Sequence, residues 1–374
     1  MTSSLYLIEA SPRIQHIEDL IFFNGSKGAK TALTTLSRMM KGGHNKKTTV
    51  KWDGSPAIIF GRDESGQFIL TDKSGWAAKG YDGKTKSGDD LMNMMLDRSG
   101  GNPDAGRKAF AIKMRNLFDV VETSVPKDFR GFFKGDLLYY TTPPIEDDRF
   151  VFTPNIVTYT VAVHSELGER IARSEAGVVV HNQMDMYGEP TPMTDLGTLE
   201  SGQFMIFPPI TTQKPADIPP RVLQGLNARI NKYSAGIDKM LDPNTLAELR
   251  MTNLPNILYT YTNQQVDSGN LENIGENFSY WLQHSNVSAA KQIRLEEYLD
   301  KHRVAFRGVW EIVRSVMNLK NRIISQFDSQ ELDITQHING NQGGEGYVYS
   351  DPRAGDIKLV PRSTFSAANR AVER

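Results

Sequence analysis

The chain has no cysteine among its 374 residues, and it lacks features that define several protein classes. Without cysteine there are no disulfide bonds, thiolate nucleophiles or thiolate zinc sites. No apolar run reaches the length of a membrane-spanning helix, and the amino-terminal segment lacks the charged start and apolar core of a signal peptide. We therefore expect a cytoplasmic protein with no membrane partner.

The charges are nearly balanced, with a formal net charge of -1, so the chain as a whole has no electrostatic attraction to nucleic acid. With 39% hydrophobic and 23% charged residues, the composition is typical of a globular protein of two or three domains. Basic residues nevertheless cluster, and we interpret each cluster either as solvated surface or as a contact for a phosphate backbone. The clusters are Arg38, Lys41, His44, Lys46, Lys47 and Lys51; Arg107, Lys108, Lys113 and Arg115; and Arg353, Lys358, Arg362 and Arg370.

Hydrophobic periodicity predicts a mixed α/β chain of the α+β class. Helices are predicted over residues 13–42 with a break at Asn24-Gly25, and over 90–98, 104–122 and 221–327. Strands are predicted at about 48–61, 67–72, 132–140, 149–152, 156–163 and 177–181, with a loop at 73–90 and two short strands near the end. We therefore expect an α/β core over residues 1–182, a mostly helical insert over 183–335, and strands over 336–374 that complete the core.

The tetrapeptide Lys51-Trp52-Asp53-Gly54 lies between two β-prone runs and carries the most informative chemistry. Gly54 can adopt backbone angles that allow a ligand to approach closely. Lysine is protonated at neutral pH and must lose a proton before it attacks phosphorus, which partial burial and cations such as Lys73, Lys358 or a bound metal would favour. The alternative is a surface lysine before an Asp-Gly turn.

Two carboxylates and a second lysine follow in a fixed order. Asp136 and Glu345 each lie at the edge of an apolar β-like run, and carboxylates together with phosphate oxygens are the usual ligands of Mg²⁺. Lys358 comes 13 positions after Glu345, so a hairpin would place the two residues side by side. The alternatives are a strand-end cap for Asp136, a plain turn at Glu345 and a solvent-facing Lys358.

A competing motif covers residues 78–85, where Ala-Lys-Gly-Tyr-Asp-Gly-Lys-Thr fits a relaxed phosphate-loop pattern. A phosphate loop must follow a buried strand directly and open a helix. The residues on either side predict neither element, so we interpret this segment as a basic loop.

Taken in order, these segments resemble the motifs of covalent nucleotidyltransferases, the superfamily of ATP-dependent DNA and RNA ligases and mRNA capping enzymes. The similar segments are Lys51-Trp52-Asp53-Gly54-Ser55 for the first motif, Gly135-Asp136-Leu137 for the third, Glu345-Gly346-Tyr347-Val348 for the fourth and Ile357-Lys358-Leu359-Val360 for the fifth. The residues of these segments are most similar to the motifs of phage-type RNA ligases. The resemblance implies a ligase-type adenylation domain of antiparallel sheets with helices, interrupted by the helical insert.

The resemblance also implies a reaction in three steps. Lys51 attacks the α-phosphate of ATP and forms lysyl-AMP, the AMP moves to a 5′-phosphate end, and a 3′-hydroxyl displaces it to seal the strand, with RNA favoured over DNA. Mg²⁺ held by Asp136 and Glu345 would stabilise the phosphate charge. The nucleotide-binding residues implied in this way are Asp53, Gly54, Lys73, Asp136, Glu345, Lys358 and Arg362.

The chain departs from the family pattern at several positions. Pro56 stands where arginine is typical, Asp136 where glutamate is usual, and Val360 where a second lysine is usual, for which Arg362 is a nearby substitute. Glu175-Ala176-Gly177-Val178-Val179 is a rival fourth motif without the Glu-Gly step. Only 14 residues (361–374) follow Val360, too few for the carboxy-terminal OB domain of DNA ligases and capping enzymes.

Two other functions therefore stay open. One is an adenylyltransferase with an acceptor other than a polynucleotide, and the other is a catalytically lapsed nucleic-acid-binding or scaffold protein. The choice between ATP and GTP and the oligomeric state are also open.

Overall fold

The structure is a computed structural model that describes residues 15–40, 47–77, 85–98, 102–193, 195–199, 201–268, 271–351, 355–365 and 368. Its helices, in chain order, are α1 (Leu20–Met39), α2 (Lys73–Ala77), α3 (Gly88–Asp97), α4 (Ala105–Ser124), α5 (Glu166–Arg173), α6 (Pro220–Met240), α7 (Pro243–Glu248), α8 (Leu254–Ser268), α9 (Phe278–Gln283), α10 (Ala289–Lys301) and α11 (Arg303–Asp328). Its strands are β1 (Gln15–His16), β2 (Thr48–Val50), β3 (Ala57–Arg62), β4 (Phe68–Asp72), β5 (Gly131–Tyr139), β6 (Ile145–Glu146), β7 (Arg149–Phe152), β8 (Thr158–Ala162), β9 (Ala176–Met184), β10 (Pro190–Thr191), β11 (Phe204–Ile206), β12 (Ile334–Ile338), β13 (Asn341–Gln342), β14 (Tyr347–Asp351) and β15 (Gly355–Leu359). The expectation of a mixed α+β fold is confirmed.

The chain divides into two units, each assembled from separate stretches of sequence. The first unit comprises Met1–Lys51, Ile210–Gln330 and Glu345–Arg374, and the second comprises Trp52–Pro209 and Glu331–Gly344. Both stretches of the second unit are therefore bounded in sequence by residues of the first.

The first unit combines a small sheet with most of the helices. The strand order is β1-β15-β14-β2, in which β14 is antiparallel to both neighbours and β1 is parallel to β15. Helix α6 packs against α1 and α11. Helix α1 is kinked at Gly25, which has a φ of +54°, and Asp238 of α6 accepts hydrogen bonds from the Ser26 amide and hydroxyl (2.7 Å each). The kink confirms the break predicted at Asn24-Gly25.

The second unit contains two sheets, with strand orders β10-β9-β5-β3-β4 and β13-β12-β8-β7-β6, and β11 pairs with β9 in the first of them. Helices α3 and α4 cover one face of the first sheet, where Phe60, Phe68 and Phe133 pack with Met114 and Phe118. Both helices begin at a side-chain cap, because Ser87 accepts from the Asp90 amide and Asp104 accepts from the Arg107 amide.

The structure differs from the sequence predictions in three places. Residues 15–19 form a short strand and a 3-10 turn rather than the first helical turn, and Lys73–Ala77 is helical rather than part of a loop. The first part of the insert predicted over 183–335 forms strands, because β10 and β11 pair with β9, while its helices begin at Pro220 in agreement with the helices predicted over 221–327. Its helices belong to the same unit as α1 and β14–β15, since the apolar face of α11 packs on α1 and α6.

None of the helices in the described ranges combines the length and apolar character needed to cross a bilayer.

Candidate functional site

Lys51 follows directly on β2, which lies beside β14 at one edge of the sheet in the first unit. The Lys51 amide donates a hydrogen bond to the Gly346 carbonyl oxygen (2.9 Å), and this bond continues the pairing of Val50 with Tyr347. The strands bearing the first, fourth and fifth motif-like segments are therefore adjacent, in the order β2, β14 and β15.

The Lys51 ammonium forms an ion pair with the Glu345 carboxylate. The two side chains are 21% and 15% exposed, so both are partly withdrawn from water while they remain accessible to a ligand. Gly346, next to Glu345, has a φ of +115°, and a Cβ there would lie 2.0 Å from the Leu359 carbonyl oxygen, so this position favours glycine. The structure thus brings together two of the predicted residues that are far apart in sequence.

Lys358 lies in β15 opposite Val348 of β14, which is itself paired with Thr49 of β2. Successive side chains of a strand point to opposite faces, and the alternate residues Tyr347 and Leu359 are fully buried. The half-buried Lys358 therefore lies on the other face of the sheet. The same alternation places Lys51 on the face of Lys358, because Lys51 is two positions beyond Thr49.

Asp53 is a buried residue of the second unit, and its carboxylate binds the protein itself. One oxygen accepts from Asn155 Nδ2 (2.9 Å), and the other accepts from the backbone amides of Ile156 (2.9 Å) and Val157 (3.1 Å). The Asp53 amide donates to the Tyr159 hydroxyl (2.7 Å). We therefore assign Asp53 to holding the segment 155–157 in place and leave it out of the proposed nucleotide contacts.

Replacing Asp53 with alanine is expected to lower the free energy of unfolding by about 3 kcal/mol, because three donors lose a buried charged acceptor. Urea unfolding followed by circular dichroism measures this change. Asp128→Ala, at an exposed position of the same unit, is the matched control and should change stability by less than about 0.5 kcal/mol. Equal stabilities of the two variants would contradict the role given to Asp53.

Gly54 allows close packing inside the second unit. A Cβ at this position would lie 2.6 Å from the Asp136 Cβ and 3.0 Å from the Leu137 carbonyl oxygen. The sequence analysis expected a ligand to approach Gly54 closely. In the structure, strand β5 occupies that position instead.

Asp136 lies in β5 opposite Ala57 of β3, and its carboxylate contacts a histidine that the sequence analysis did not assign. Asp136 Oδ2 is 2.8 Å from His181 Nε2, and the two side chains are 25% and 40% exposed. His181 lies on β9, the other neighbour of β5. A histidine directly after the apolar run Val178-Val179-Val180 was the available signal, but its partner depends on strand register.

The predicted magnesium ligands Asp136 and Glu345 belong to different units. Both are carboxylates with solvent access, and their oxygens have the chemistry that Mg²⁺ prefers. Within the described ranges no group of three or more potential metal-ligating side chains occurs. The magnesium assignment stays a prediction.

Comparison with known proteins identifies a family. The sequence profile of one family matches residues 13–90 and 107–374, which is most of the chain. The chain belongs to DUF6267, a family of unknown function. No curated protein and no solved structure is significantly similar to it.

One more residue of the second unit was predicted to bind the nucleotide. This residue of the DUF6267 protein, Lys73, is exposed at the start of α2. Glu175, the rival fourth-motif residue, is also exposed and accepts a hydrogen bond from Gln203 Nε2 (3.0 Å). Most of the phosphate-loop-like segment 78–85 lies outside the described residues, as do Lys41, His44, Lys46, Arg353 and Arg370 of the basic clusters.

Arg362 lies in a buried ionic cluster of the first unit, made of Glu18, Asp19, Lys320 and Arg362. Its Nη1 is 3.1 Å from Glu18 Oε1 and 3.1 Å from Asp19 Oδ1, and its Nη2 donates to the Asn263 side-chain oxygen. The Arg362 side chain is only 3% exposed. A guanidinium committed to two carboxylates and an amide has little capacity for a phosphate, so we leave Arg362 out of the proposed site.

Lys320 completes this buried ionic cluster, because its Nζ is 2.6 Å from Glu18 Oε1 and both side chains are fully buried. Burial alone would raise the pKa of Glu18, but Lys320 and Arg362 lower it to about 2. Burial raises the pKa of Asp19 to about 7 against the opposing effect of Arg362. The cluster is therefore a structural feature of the fold and not an accessible binding site.

Proposed function

We propose that this protein is an ATP-dependent nucleotidyltransferase that forms a covalent lysyl-AMP at Lys51 and transfers the AMP to a polynucleotide end, RNA ahead of DNA. One observation carries the proposal. Lys51, the expected nucleophile, forms an ion pair with Glu345 across adjacent strands, on a sheet whose next strand carries Lys358. A partly withdrawn amine, a carboxylate and a second cation are the groups that phosphoryl capture by an amine requires.

In the first step the Lys51 nitrogen forms a bond to the α-phosphorus of ATP, the bond from that phosphorus to the bridging oxygen breaks, and pyrophosphate leaves. The amine must first lose a proton, and Glu345 is in direct contact to receive it. Lys358 would offset negative charge on the phosphates. Magnesium bound to ATP would spread that charge further, and Glu345 offers it a carboxylate beside the amine.

The strand arrangement also supports the ligase-type adenylation fold implied by the sequence. Lys51 is followed by β3, whose neighbour β5 carries Asp136, and β14 and β15 form a hairpin that carries Lys358. The pairing of β3 with β5 joins segments that are distant in sequence, and the hairpin places the fourth and fifth motif-like segments side by side. Sealing by the 3′-hydroxyl completes the proposed reaction.

The proposal is tested by incubating the protein with Mg²⁺ and ATP labelled at the α-phosphate, then measuring the label that survives denaturation. Parallel incubations with GTP labelled in the same way determine the nucleotide. Labelled protein is then mixed with 5′-phosphorylated single strands and nicked duplexes of RNA and DNA. We expect label to pass to a strand and pyrophosphate to be released.

Absence of covalent label from folded protein would refute the proposal. If the protein is labelled but transfers the label to no polynucleotide, the ligase proposal is wrong. The protein is then an adenylyltransferase that acts on another acceptor.

A further inference from the structure

The second unit contains a cavity of about 540 Å³ lined by side chains at the end of α3 and the start of α4. Arg98, Arg107 and Phe110 contribute two cations and an aromatic ring to its lining, together with Asp72 and Asp104. The volume lies within the range of natural small-molecule sites, and the lining combines cations with an apolar surface.

Both carboxylates of the cavity are engaged by the protein. Asp72 accepts from the Gly75 amide (2.6 Å) and pairs with Arg98 (2.5 Å), while Asp104 caps α4 by accepting from the Arg107 amide (2.7 Å). The Arg107 guanidinium, in contrast, is exposed and makes no hydrogen bond or ion pair with the described residues. It is therefore available to an anion at the rim of the cavity.

The aromatic surface continues beyond the cavity. Phe110 contacts Tyr140 edge to face, with ring centroids 5.8 Å apart, and Lys113 Nζ lies 4.9 Å from the centre of the Tyr140 ring. Both rings are only partly buried. Cations and aromatic rings thus alternate from Arg107 through Phe110 to Lys113 and Tyr140.

This alternation is the arrangement that binds single-stranded nucleic acid, because cations contact phosphates while bases stack on aromatic faces. We infer that the cavity and the Phe110–Tyr140 surface bind a single-stranded polynucleotide, with a phosphate at Arg107 and a base against Phe110. The inference deepens the proposed function by giving its acceptor strand a binding surface, and it rests on that function.

The test measures fluorescence anisotropy of labelled 12-nucleotide RNA and DNA strands with the full chain, in the absence of ATP. Arg107→Ala and Phe110→Leu are each expected to weaken binding about tenfold, and Arg107→Ala should also lower the salt dependence of log affinity by about one. Lys127→Ala removes an exposed cation of the same unit outside the cavity and should change affinity less than about twofold. Thermal unfolding of each variant checks that it is folded.

Comparison of RNA with DNA, and of 5′-phosphate with 5′-hydroxyl strands, identifies the preferred form of the ligand. ATP added as a competitor separates a strand site from a nucleotide site, and full displacement by ATP would overturn the inference. Equal affinities of wild type, Arg107→Ala and Phe110→Leu would also overturn it. If strand binding depends on Arg107 but the wild-type protein takes no AMP label, the proposed function is refuted. The inference that this surface binds single strands would still stand.

Discussion

Replacing Lys51 with alanine is expected to abolish covalent capture of AMP, with a loss on the order of a thousandfold or more. Lys51 supplies the nitrogen that bonds to phosphorus, and the Glu345 carboxylate with which it pairs cannot replace that amine. Lys51→Arg should be equally inactive, because arginine keeps the charge opposite Glu345 but stays protonated. The measurement is the rate at which denaturation-stable label from α-labelled ATP appears on the protein.

The matched control for Lys51 is Lys47→Ala, which removes an exposed lysine directly before β2, the strand that Lys51 follows. It should label at close to the wild-type rate. Undiminished labelling of folded Lys51→Ala would show that another residue is the nucleophile.

Replacing Lys320 with methionine is expected to lower the free energy of unfolding by about 3–5 kcal/mol. Lys320 and Glu18 are fully buried and 2.6 Å apart, so removal of the cation leaves a buried carboxylate that has lost one of its two cationic partners among the described residues. Urea unfolding measures the change. Arg322→Met, at an exposed position of the same helix, is the control and should change stability by less than about 0.5 kcal/mol.

A double variant separates loss of the ion pair from simple loss of packing. Glu18→Gln removes the buried charge that has lost its Lys320 partner in Lys320→Met, so the double variant should recover a large part of the stability lost in Lys320→Met. If the two substitutions instead lower stability additively, the buried charge is not the cause and the interpretation of the cluster fails.

The neighbourhood of Lys51 could be predicted from sequence because it depends on strands. The runs around Lys51, Glu345 and Lys358 each have the apolar, β-branched character of strands, and the resemblance supplied their order. The ion pair of Lys51 with Glu345 agrees with that prediction. The segments lie almost 300 positions apart in sequence, so periodicity alone gives no reason to join them.

The roles of Asp53 and Arg362 could not be predicted in the same way. The partners of Asp53 are more than 100 positions away, and those of Arg362 include Glu18 at a separation of 344 positions. A charged residue in a motif-like segment has the same sequence signature whether it meets a ligand or a buried partner. The folded contacts assign both residues to the protein interior.

The domain boundaries show a related limit. Helical spacing correctly predicts a long helical segment, but it gives no information about which sheet those helices pack against. Residues 183–209 contribute the end of β9 and all of β10 and β11 to the second unit, and α6, α8 and α11 pack with α1. The helical segment is therefore part of the unit that contains Lys51.

The most direct test of the central claim is to locate the nucleotide on the protein. After incubation with ATP and Mg²⁺, the protein is digested and its peptides are sequenced by tandem mass spectrometry under conditions that preserve the phosphorus–nitrogen bond. We predict the mass of one AMP on the lysine at position 51. AMP on another residue, or no adduct on folded protein, would contradict the assignment of Lys51 as the nucleophile.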